Sequence, residues 1–396
     1  MKRRHFLTTV SMAIASSASV SAAARSAPRR AAVIGHTGRG NYGHGLDTVW
    51  KLVDGVEIVG VADADPSGLN TELQKLGLSA ERGFADYREL LAATKPEFVT
   101  VCPRHADQHC DMVLAAIEAG AKGIYVEKPF VRTPEEADRI IAAEKAAGAK
   151  VAIAHRNAYH PVMKIIEDMI AAGEMGRVHE IRGRGKGDRR GGGEDLWVLG
   201  THVFDLIHRF GGAPLTCSAV MKQKGKAVTA ADVKDGAEGL GPLAADELHA
   251  RYELASGMTA TFDSIANDDF RSAGFGLQLI GTKGIINIQI DKDPVAHFVP
   301  GNPFEPTSTP RPWLPITTAG VNQPESNPDL VARIHNHAFA IEDLIAAVDE
   351  SRAPACSSHD GAITVEMVTA VFESHRQQSA AVHFPLTERG NPLSNL

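Results

Sequence analysis

Short apolar runs recur along the first part of the chain, and apolar residues between them stand three or four positions apart. The runs lie at residues 31–34, 57–62, 97–101, 123–126 and 151–154. Runs this short and rich in β-branched residues are typical of buried strands, whereas the intervening spacing is typical of amphipathic helices. Because strands alternate with helices, residues 31–154 are predicted to form one doubly wound parallel sheet of the α/β class.

The later residues show a different pattern, in which short alternating apolar segments are separated by turns. Strand-like segments lie at 178–186, 250–253, 259–262, 277–280 and 285–288. Turns such as Ala255-Ser256-Gly257 predict hairpins between them. The stretch 294–328 is rich in proline, asparagine and threonine and is predicted to be a loop, over a site or at a subunit contact. Amphipathic spacing around Leu344 and Val368 predicts two packing helices.

The first 23 residues differ from the rest and resemble an export signal. Arg3-Arg4 is followed by Phe6-Leu7, a mildly apolar run and the small residues Ser21-Ala22-Ala23. This order is typical of the twin-arginine route, so we expect a periplasmic or otherwise exported protein; the alternative is a disordered basic tail. The apolar run is too short to span a membrane, and no cysteine accompanies it, so no membrane anchor is expected after cleavage.

Composition limits the classes of partner. The formal net charge of −7 argues against a nucleic-acid partner. Four cysteines show no metal-binding spacing, and Cys102 and Cys110 are predicted to be small core residues rather than a disulfide. His155, His160 and His202 have no acid at a convincing spacing, so we predict proton transfer by histidine and no metal.

A glycine-rich turn follows the first strand directly. Gly35 is followed by Gly38-x-Gly40-x-x-Gly43, which is the dinucleotide pattern displaced by three residues. Glycine lets the backbone approach a ligand closely, and a helix starting near residue 46 would offer free N–H groups to a pyrophosphate. Asp63 ends the second strand and is predicted to hold the ribose hydroxyls; the alternative is a helix N-cap. With Asp65 nearby, NAD is favoured over NADP.

Two further features follow the fourth predicted strand. Glu127-Lys128-Pro129 ends the strand at 123–126, so Lys128 is predicted to enter the crevice beyond the carboxyl edge of the sheet. The alternative is a surface salt bridge beside a turn proline. Next, Thr133-Pro134-Glu135-Glu136 predicts a capped helix that ends at Gly148.

These motifs together resemble the Gfo/Idh/MocA family of oxidoreductases. The resemblance is carried by the glycine turn, Asp63, the 103–109 segment, Glu127-Lys128-Pro129 and Gly200-Thr201-His202-Val203-Phe204-Asp205. It implies a Rossmann domain at 31–154, then an α+β domain at 155–396 whose open, mostly antiparallel sheet binds substrate on one face and subunits on the other. It also implies NAD(P)-dependent oxidation or reduction of a secondary alcohol of a sugar or polyol, in a homo-dimer or homo-tetramer.

The resemblance also assigns roles to residues. Lys128 and His202 are expected to be catalytic, with His202 as the proton carrier and Asp205 orienting it or contacting substrate. The expected cofactor contacts are Gly35, Gly38, Arg39, Gly40, Asp63, Pro103, His109, Glu127 and Lys128. The expected substrate contacts are Lys128, Tyr159, Asp195 and His202.

One position departs from the family pattern. The family places an aspartate four residues before the histidine, and here that position is Val198. Asp195 could substitute if the loop bends. The arginine expected before an aromatic residue and a proline is displaced as well, to Arg156.

Three functions follow from these observations. The first is a sugar or polyol oxidoreductase that retains NAD, because an exported enzyme has no pool of soluble nicotinamide. The second is a redox-neutral NAD-dependent glycosidase, lyase or epimerase, favoured by Val198. The third is a cofactor-binding sensor without catalysis.

A basic row in the second half bears on the substrate class. Arg182, Arg184 and Lys186 alternate along one strand, and Arg189 and Arg190 follow. Such a row could attract a carboxylate or sulfate on the substrate; the alternative is a solvated sheet face.

Overall fold

The computed structural model describes residues 27–396, so the predicted export signal at 1–23 lies outside the described residues. Over that described range, every helix is too short or too polar to cross a lipid bilayer.

Residues 29–153 carry the parallel sheet that the apolar runs predict. Its strands are β1 (Arg29–Ile34), β2 (Val56–Ala62), β3 (Gly83–Phe84), β4 (Phe98–Val101), β5 (Gly123–Val126) and β6 (Lys150–Ile153). The order is β3-β2-β1-β4-β5-β6, and all neighbours are parallel. The order reverses between β1 and β4, which is the point where ligands bind in open α/β sheets.

Four helices accompany this sheet. They are α1 (Pro66–Leu76), α2 (Tyr87–Thr94), α3 (His109–Glu118) and α4 (Pro134–Ala147). The predicted start of α4 is confirmed, because Thr133 Oγ1 accepts from the Glu136 amide at 3.2 Å and Pro134 occupies the first turn. Its end is confirmed by Gly148, which is left-handed as a terminating glycine should be.

The helix predicted after the glycine turn is wrong. The chain instead forms two short 3₁₀ turns, Gly43–Gly45 and Val49–Leu52. His44 and Gly45 both have positive φ, at 50° and 84°, and this geometry interrupts an α-helical ladder. Leu46, Val49 and Trp50 are nevertheless buried in the core, and the spacing of these apolar residues is what suggested a helix.

The second half forms a large mixed sheet with helices on one face. Its elements up to the central hairpins are α5 (Pro161–Ala171), β7 (Val178–Arg184), α6 (Gly193–Val198), α7 (Gly200–Gly211), β8 (Pro214–Gln223), β9 (Lys226–Ala227), β10 (Lys234–Asp235), β11 (Pro242–Leu243), β12 (Glu247–Leu254), β13 (Thr259–Ile265), β14 (Gly276–Gly281) and β15 (Gly284–Gln289). Those that follow are β16 (Ala296–Pro300), β17 (Leu314–Thr317), β18 (Gly320–Val321), α8 (Leu330–His335), α9 (Ala338–Asp349), α10 (Ser358–Arg376) and β19 (Val382–His383).

The main sheet has the order β18-β17-β16-β15-β14-β7-β13-β12-β8-β19, with β9 beside β8. Only the β7–β13 pairing is parallel among the strands described. The predicted mostly antiparallel sheet is therefore confirmed.

The loop predicted over 294–328 is partly wrong. Strands β16, β17 and β18 lie within it and extend the sheet from β15. These strands form because they pair with a neighbouring strand and not because their own composition favours strand, so local sequence patterns did not predict them. The connection between β16 and β17 does remain irregular, and it carries the exposed Trp313.

Helices join the two sheets. Helix α10 packs against α7 and β8 in the second half and also against α4 beside the parallel sheet. Helix α9 packs against β5 and β6. The carboxyl ends of β5 and β6 are thus enclosed by elements from later in the chain.

Candidate active site

A cavity of about 250 Å³ lies where the chain leaves β5 and β6. Its lining includes Lys128 after β5, Arg156 after β6 and His202 from α7. Sequence reasoning expected Lys128 and His202 to meet, although they are far apart along the chain, and the fold places both on this one cavity.

Lys128 presents its ammonium group inside the protein. The residue is 5% exposed, and its Nζ donates to the Val198 carbonyl at 3.4 Å. No aspartate or glutamate among the described residues forms a salt bridge with Lys128. The surface salt bridge considered from sequence is not formed, and the ammonium group faces the cavity.

Glu127 lies beneath this lysine and is fully buried. Its carboxylate contacts the backbone amide of Lys128 and Nδ1 of His44. Burial alone would raise its pKa, but the charges of Lys128 and His44 outweigh burial and lower the pKa of Glu127 to about 2. Glu127 is therefore ionised at neutral pH and ties the glycine segment to the end of β5.

His202 lies in the first turn of α7 and is 8% exposed. Its Nδ1 is buried and has no hydrogen-bond partner. Burial, followed by the neighbouring His155 and Lys128, lowers the pKa of His202 well below its ordinary value. The imidazole is consequently neutral at pH 7 and can accept a proton.

Asp205 does not orient His202. Its Oδ1 lies 3.7 Å from Nδ1 of His155 and 3.3 Å from Sγ of Cys356. One helical turn does bring Asp205 to the same side of α7 as His202, but the side chain points to the end of β6 instead. The expected catalytic role of Asp205 has no support in this arrangement.

Tyr159 and Asp195 also lie away from the cavity. The Tyr159 hydroxyl donates to the backbone carbonyl of Ile153 at 3.1 Å, inside the core. Asp195 is fully buried beneath Gly185, where it accepts from Ser264 Oγ at 2.6 Å. Both were expected to contact substrate, and both are held instead by internal hydrogen bonds. Asp195 therefore does not replace the acid missing at Val198.

The glycine turn lies at the switch point of the parallel sheet. Gly40 has φ of 95°, and a Cβ there would lie 2.4 Å from the Arg104 amide nitrogen. Gly38, with φ of 82°, would meet nothing within 4 Å. Arg39 pairs with Asp107 at the outer edge of the turn. Only glycine fits the backbone at Gly40, whereas Gly38 faces open space.

Asp63 is 1% exposed at the end of β2. Its carboxylate accepts from the Thr37 amide and hydroxyl and from the Asp65 amide. The helix cap considered for Asp63 is wrong, because α1 is capped by Asp65, whose Oδ1 accepts from Gly68 N. Asp63 therefore fixes the glycine turn to β2.

His109, predicted as a cofactor contact, is held in the core by backbone carbonyls. It is fully buried, with Nε2 at 2.6 Å from the Pro103 carbonyl and Nδ1 at 2.8 Å from the Pro129 carbonyl. Pro103 is held by this histidine in turn. Both predicted cofactor residues thus act by joining the segments after β4 and β5.

The residues present fit a dinucleotide. A second cleft of about 210 Å³, lined by Gly35, Asp63 and Asp86, lies beyond β1 and β2, on the other side of the switch point from the cavity. The glycine turn runs between the two spaces, because Gly35 lines the cleft and His44 lines the cavity, where His202 also lies. The turn, Asp63 and Lys128 would hold the nucleotide, which supplies a hydride acceptor when bound.

The predicted basic row divides between two places. Arg182 and Arg184 lie on the sheet face, paired with Glu180 and Asp268. Lys186 and Arg190 instead line the cavity. Lys186 shares Asp291 with Arg156, and Arg190 pairs with Asp188.

Two regions of the chain match models of a known protein family. Residues 29–155 match the family model described as "Oxidoreductase family, NAD-binding Rossmann fold", and residues 167–384 match its C-terminal alpha/beta domain. The chain belongs to the Gfo/Idh/MocA oxidoreductase family. The NAD-binding Rossmann domain expected from the sequence is confirmed.

Named relatives resemble the chain over about a third of its length. The D-apiose dehydrogenase of Paraburkholderia graminis is 30% identical over 127 residues, or 32% of this chain and 33% of that protein. The inositol 2-dehydrogenase of Salmonella typhimurium is 29% identical over 135 residues, or 34% of this chain and 39% of that protein. The chain thus spans less than two fifths of the length of these relatives.

Solved structures match the whole fold. A levoglucosan dehydrogenase in complex with NADH and levoglucosan has a TM-score of 0.71 at 18% identity, covering 90% of this chain and 99% of that one. At this identity the likeness establishes the shared architecture.

Several cavity residues were missed by sequence reasoning. His44 carries a positive φ in the glycine segment, and His337 precedes α9. His337 Nδ1 lies 2.7 Å from the Tyr125 hydroxyl, and burial lowers the pKa of His337 to about 4. The sequence offered one weak indication of each residue: His44 stands beside a glycine, and His337 stands at the start of a predicted helix. Only the fold brings the two histidines to the cavity.

Proposed function

We propose that the protein is an NAD-dependent oxidoreductase that acts on a secondary alcohol of a sugar or polyol and retains its cofactor. The observation that carries this proposal is the convergence of Lys128 and His202 on one cavity at the carboxyl edge of the NAD-binding sheet. Family membership and the sugar and polyol dehydrogenases among the relatives support the substrate class.

His202 and Lys128 have different roles in the reaction of the alcohol. His202 is neutral, because burial lowers its pKa, and can take the hydroxyl proton. The Lys128 ammonium stabilises the negative charge that develops on the oxygen as that proton leaves. Glu127 and the Val198 carbonyl position Lys128 from either side.

A substitution at Lys128 tests the proposal. Lys128→Ala should abolish reduction of bound NAD by substrate, measured as absorbance of the reduced nicotinamide in the purified protein. Lys164→Ala is a matched control, because Lys164 is exposed on α5 and pairs only with Asp168. Full reduction in the Lys128 variant would refute the assignment.

A redox-neutral reaction is the second candidate. Val198 occupies the position where the family has an acid, and buried Asp195 does not reach the cavity. The lack of that acid supports transient oxidation followed by elimination, glycosidic cleavage or epimerisation as the alternative to net oxidation. Product analysis separates the two: cleaved or epimerised sugar with unchanged cofactor supports the second, and accumulation of an oxidised sugar supports the first.

The charges around the cavity favour a substrate with an anionic group. Lys186 and Arg156 share the single carboxylate of Asp291, and Lys128 has no carboxylate partner among the described residues. The surplus positive charge would attract a sugar carboxylate or sulfate. Binding titrations with a neutral sugar and its uronic acid test this, and equal affinities would contradict it.

Export and self-association complete the proposal. The sequence of residues 1–23 supports twin-arginine export, and replacing Arg3-Arg4 with two lysines should leave the uncleaved protein in the cytoplasm. The exposed apolar side chains of Leu215 and Val220 on β8 support a homo-dimer or homo-tetramer through this sheet. Light scattering of the purified protein would reveal a monomer if this is wrong.

A further inference from the structure

Three buried side chains from distant segments meet behind the cavity. His155 follows β6, Asp205 lies on α7 and Cys356 precedes α10. They are 1%, 5% and 0% exposed. An imidazole nitrogen, a carboxylate oxygen and a thiol sulfur lie within 4.8 Å of one another, and no other such trio occurs between residues 27 and 396. The proposed alcohol chemistry uses none of them.

Their separations resemble those of atoms that share a metal ion. Cys356 Sγ lies 3.3 Å from Asp205 Oδ1 and 3.7 Å from His155 Nδ1, and the nitrogen and oxygen lie 3.7 Å apart. The last distance is too long for a hydrogen bond. Ligands of tetrahedral zinc, at ~2.0 Å for nitrogen or oxygen and ~2.3 Å for sulfur, stand roughly 3.3–3.6 Å apart.

Charge gives a second, independent reason. The described partners of the Asp205 carboxylate are the Cys356 thiol, which donates to it, and His155, with no lysine or arginine at salt-bridge distance. A buried carboxylate without a full positive charge beside it is costly. A divalent cation bound by a thiolate, a carboxylate and a neutral imidazole gives a group with no net charge. This composition suits an interior position.

We propose that His155, Asp205 and Cys356 bind a divalent transition-metal ion, with zinc as the best fit. A thiolate and an imidazole favour zinc over magnesium or calcium, which prefer oxygen ligands. This inference replaces the expectation of no metal. The sequence lacked the signal because His155 and Cys356 are 201 residues apart, and only the packing of α10 beside β6 joins them.

The ion would act on structure and position. It would link the end of the parallel sheet to α7 and to the start of α10, which belong to the second half of the chain. The His155 ring also lies 5.1 Å from the His202 ring, centroid to centroid. His155 is therefore a positioning residue that the ion would hold against the proton carrier. The site stands whether or not the proposed function is correct.

Metal analysis of the full chain tests the inference. The protein, purified without a histidine tag, is equilibrated with Zn²⁺, dialysed and analysed by mass spectrometry for metal content. One zinc per chain is expected, and no retained zinc would overturn the proposal. In a parallel sample, Co²⁺ should give a thiolate-to-cobalt charge-transfer band together with tetrahedral d–d bands.

Matched cysteine variants locate the ion. Cys356→Ala should lose the zinc and the thiolate–cobalt band, whereas Cys217→Ala, which removes another buried cysteine on β8, should keep both. Zinc retained at full stoichiometry in folded Cys356→Ala would refute the assignment. Circular dichroism verifies that each variant is folded. If Cys356→Ala is unfolded, zinc binding is measured in His155→Gln instead, and the wild-type cobalt spectrum is used as well. The absence of a thiolate–cobalt band in the wild type would reject the site.

Discussion

The two sides of the sheet's switch point are built in opposite ways. On the glycine-turn side, Asp63 is held by the Thr37 and Asp65 amides, so the backbone itself is fixed. On the cavity side, His155, His202 and His337 each keep one buried nitrogen without a partner. A surface that holds a ligand is rigid before the ligand arrives, whereas a surface that moves protons keeps its acceptors free.

The strongest test of this contrast is at His202. His202→Ala should lower turnover by about 10²- to 10⁴-fold, the usual contribution of a general base, while NAD binding changes little. His249→Ala is the control, because His249 is a half-exposed histidine on β12, far along the sheet. Steady-state rates and NAD titrations check this, and an equal loss of binding and turnover would contradict the separation of roles.

On the glycine-turn side, Asp63→Ala should weaken NAD binding rather than turnover. Loss of the carboxylate leaves the Thr37 and Asp65 amides without their acceptor, at a cost of about 1–3 kcal/mol. NAD affinity should fall by roughly 10-fold or more, whereas the rate with saturating NAD should be retained. Asp54→Ala, at an exposed position before β2, is the control. Isothermal titration measures the affinity, and unchanged binding would count against the role of this turn.

Two glycines offer a matched comparison within the turn. Gly40→Ala would place Cβ against the Arg104 amide, so the backbone must shift, with an expected loss of about 2 kcal/mol. Gly38→Ala meets open space and should cost only about 1 kcal/mol, from its positive φ. Thermal unfolding of both variants gives the order. Equal losses would mean that backbone conformation, rather than the close approach to Arg104, explains the need for glycine in the turn.

The last prediction concerns Glu127, which links the two sides. Because the pKa of Glu127 falls to about 2 on folding from an ordinary value of 4.5, its carboxylate stabilises the protein above pH 4.5. That stabilisation is lost as the pH falls from 4.5 toward 2. The stability difference between wild type and Glu127→Gln should therefore shrink over this window and stay constant at neutral pH. Urea unfolding at several pH values measures it; a constant difference in acid would exclude this linkage.

Local patterns predicted much of the architecture. The apolar runs located β1, β2, β4, β5 and β6, and the Thr133 cap and Gly148 bounded α4 correctly. Patterns failed where neighbours decide the conformation. The turn at His44 and Gly45 replaced a predicted helix, and β16 to β18 arose in a stretch whose composition indicated a loop.

The residues of the candidate site were also predicted only in part. Lys128 and His202 were expected to meet because their motifs resemble those of the family, and the fold places both on one cavity. The position of Lys128 at the end of a buried strand also indicated the edge of the sheet where it lies. Tyr159, Asp195 and Asp205 were predicted to serve the site, but each has an internal partner that spacing along the chain does not reveal.

The sequence by itself determined the alternation of strands and helices, the glycine turn and the delivery of Lys128 to the sheet edge, because these depend on periodicity and backbone freedom within a few residues. Only the tertiary structure decided which side chains around the cavity keep free nitrogens and which three meet behind it. Those outcomes depend on contacts between segments as much as 201 residues apart, and a buried polar group takes whichever partner the packing brings within reach.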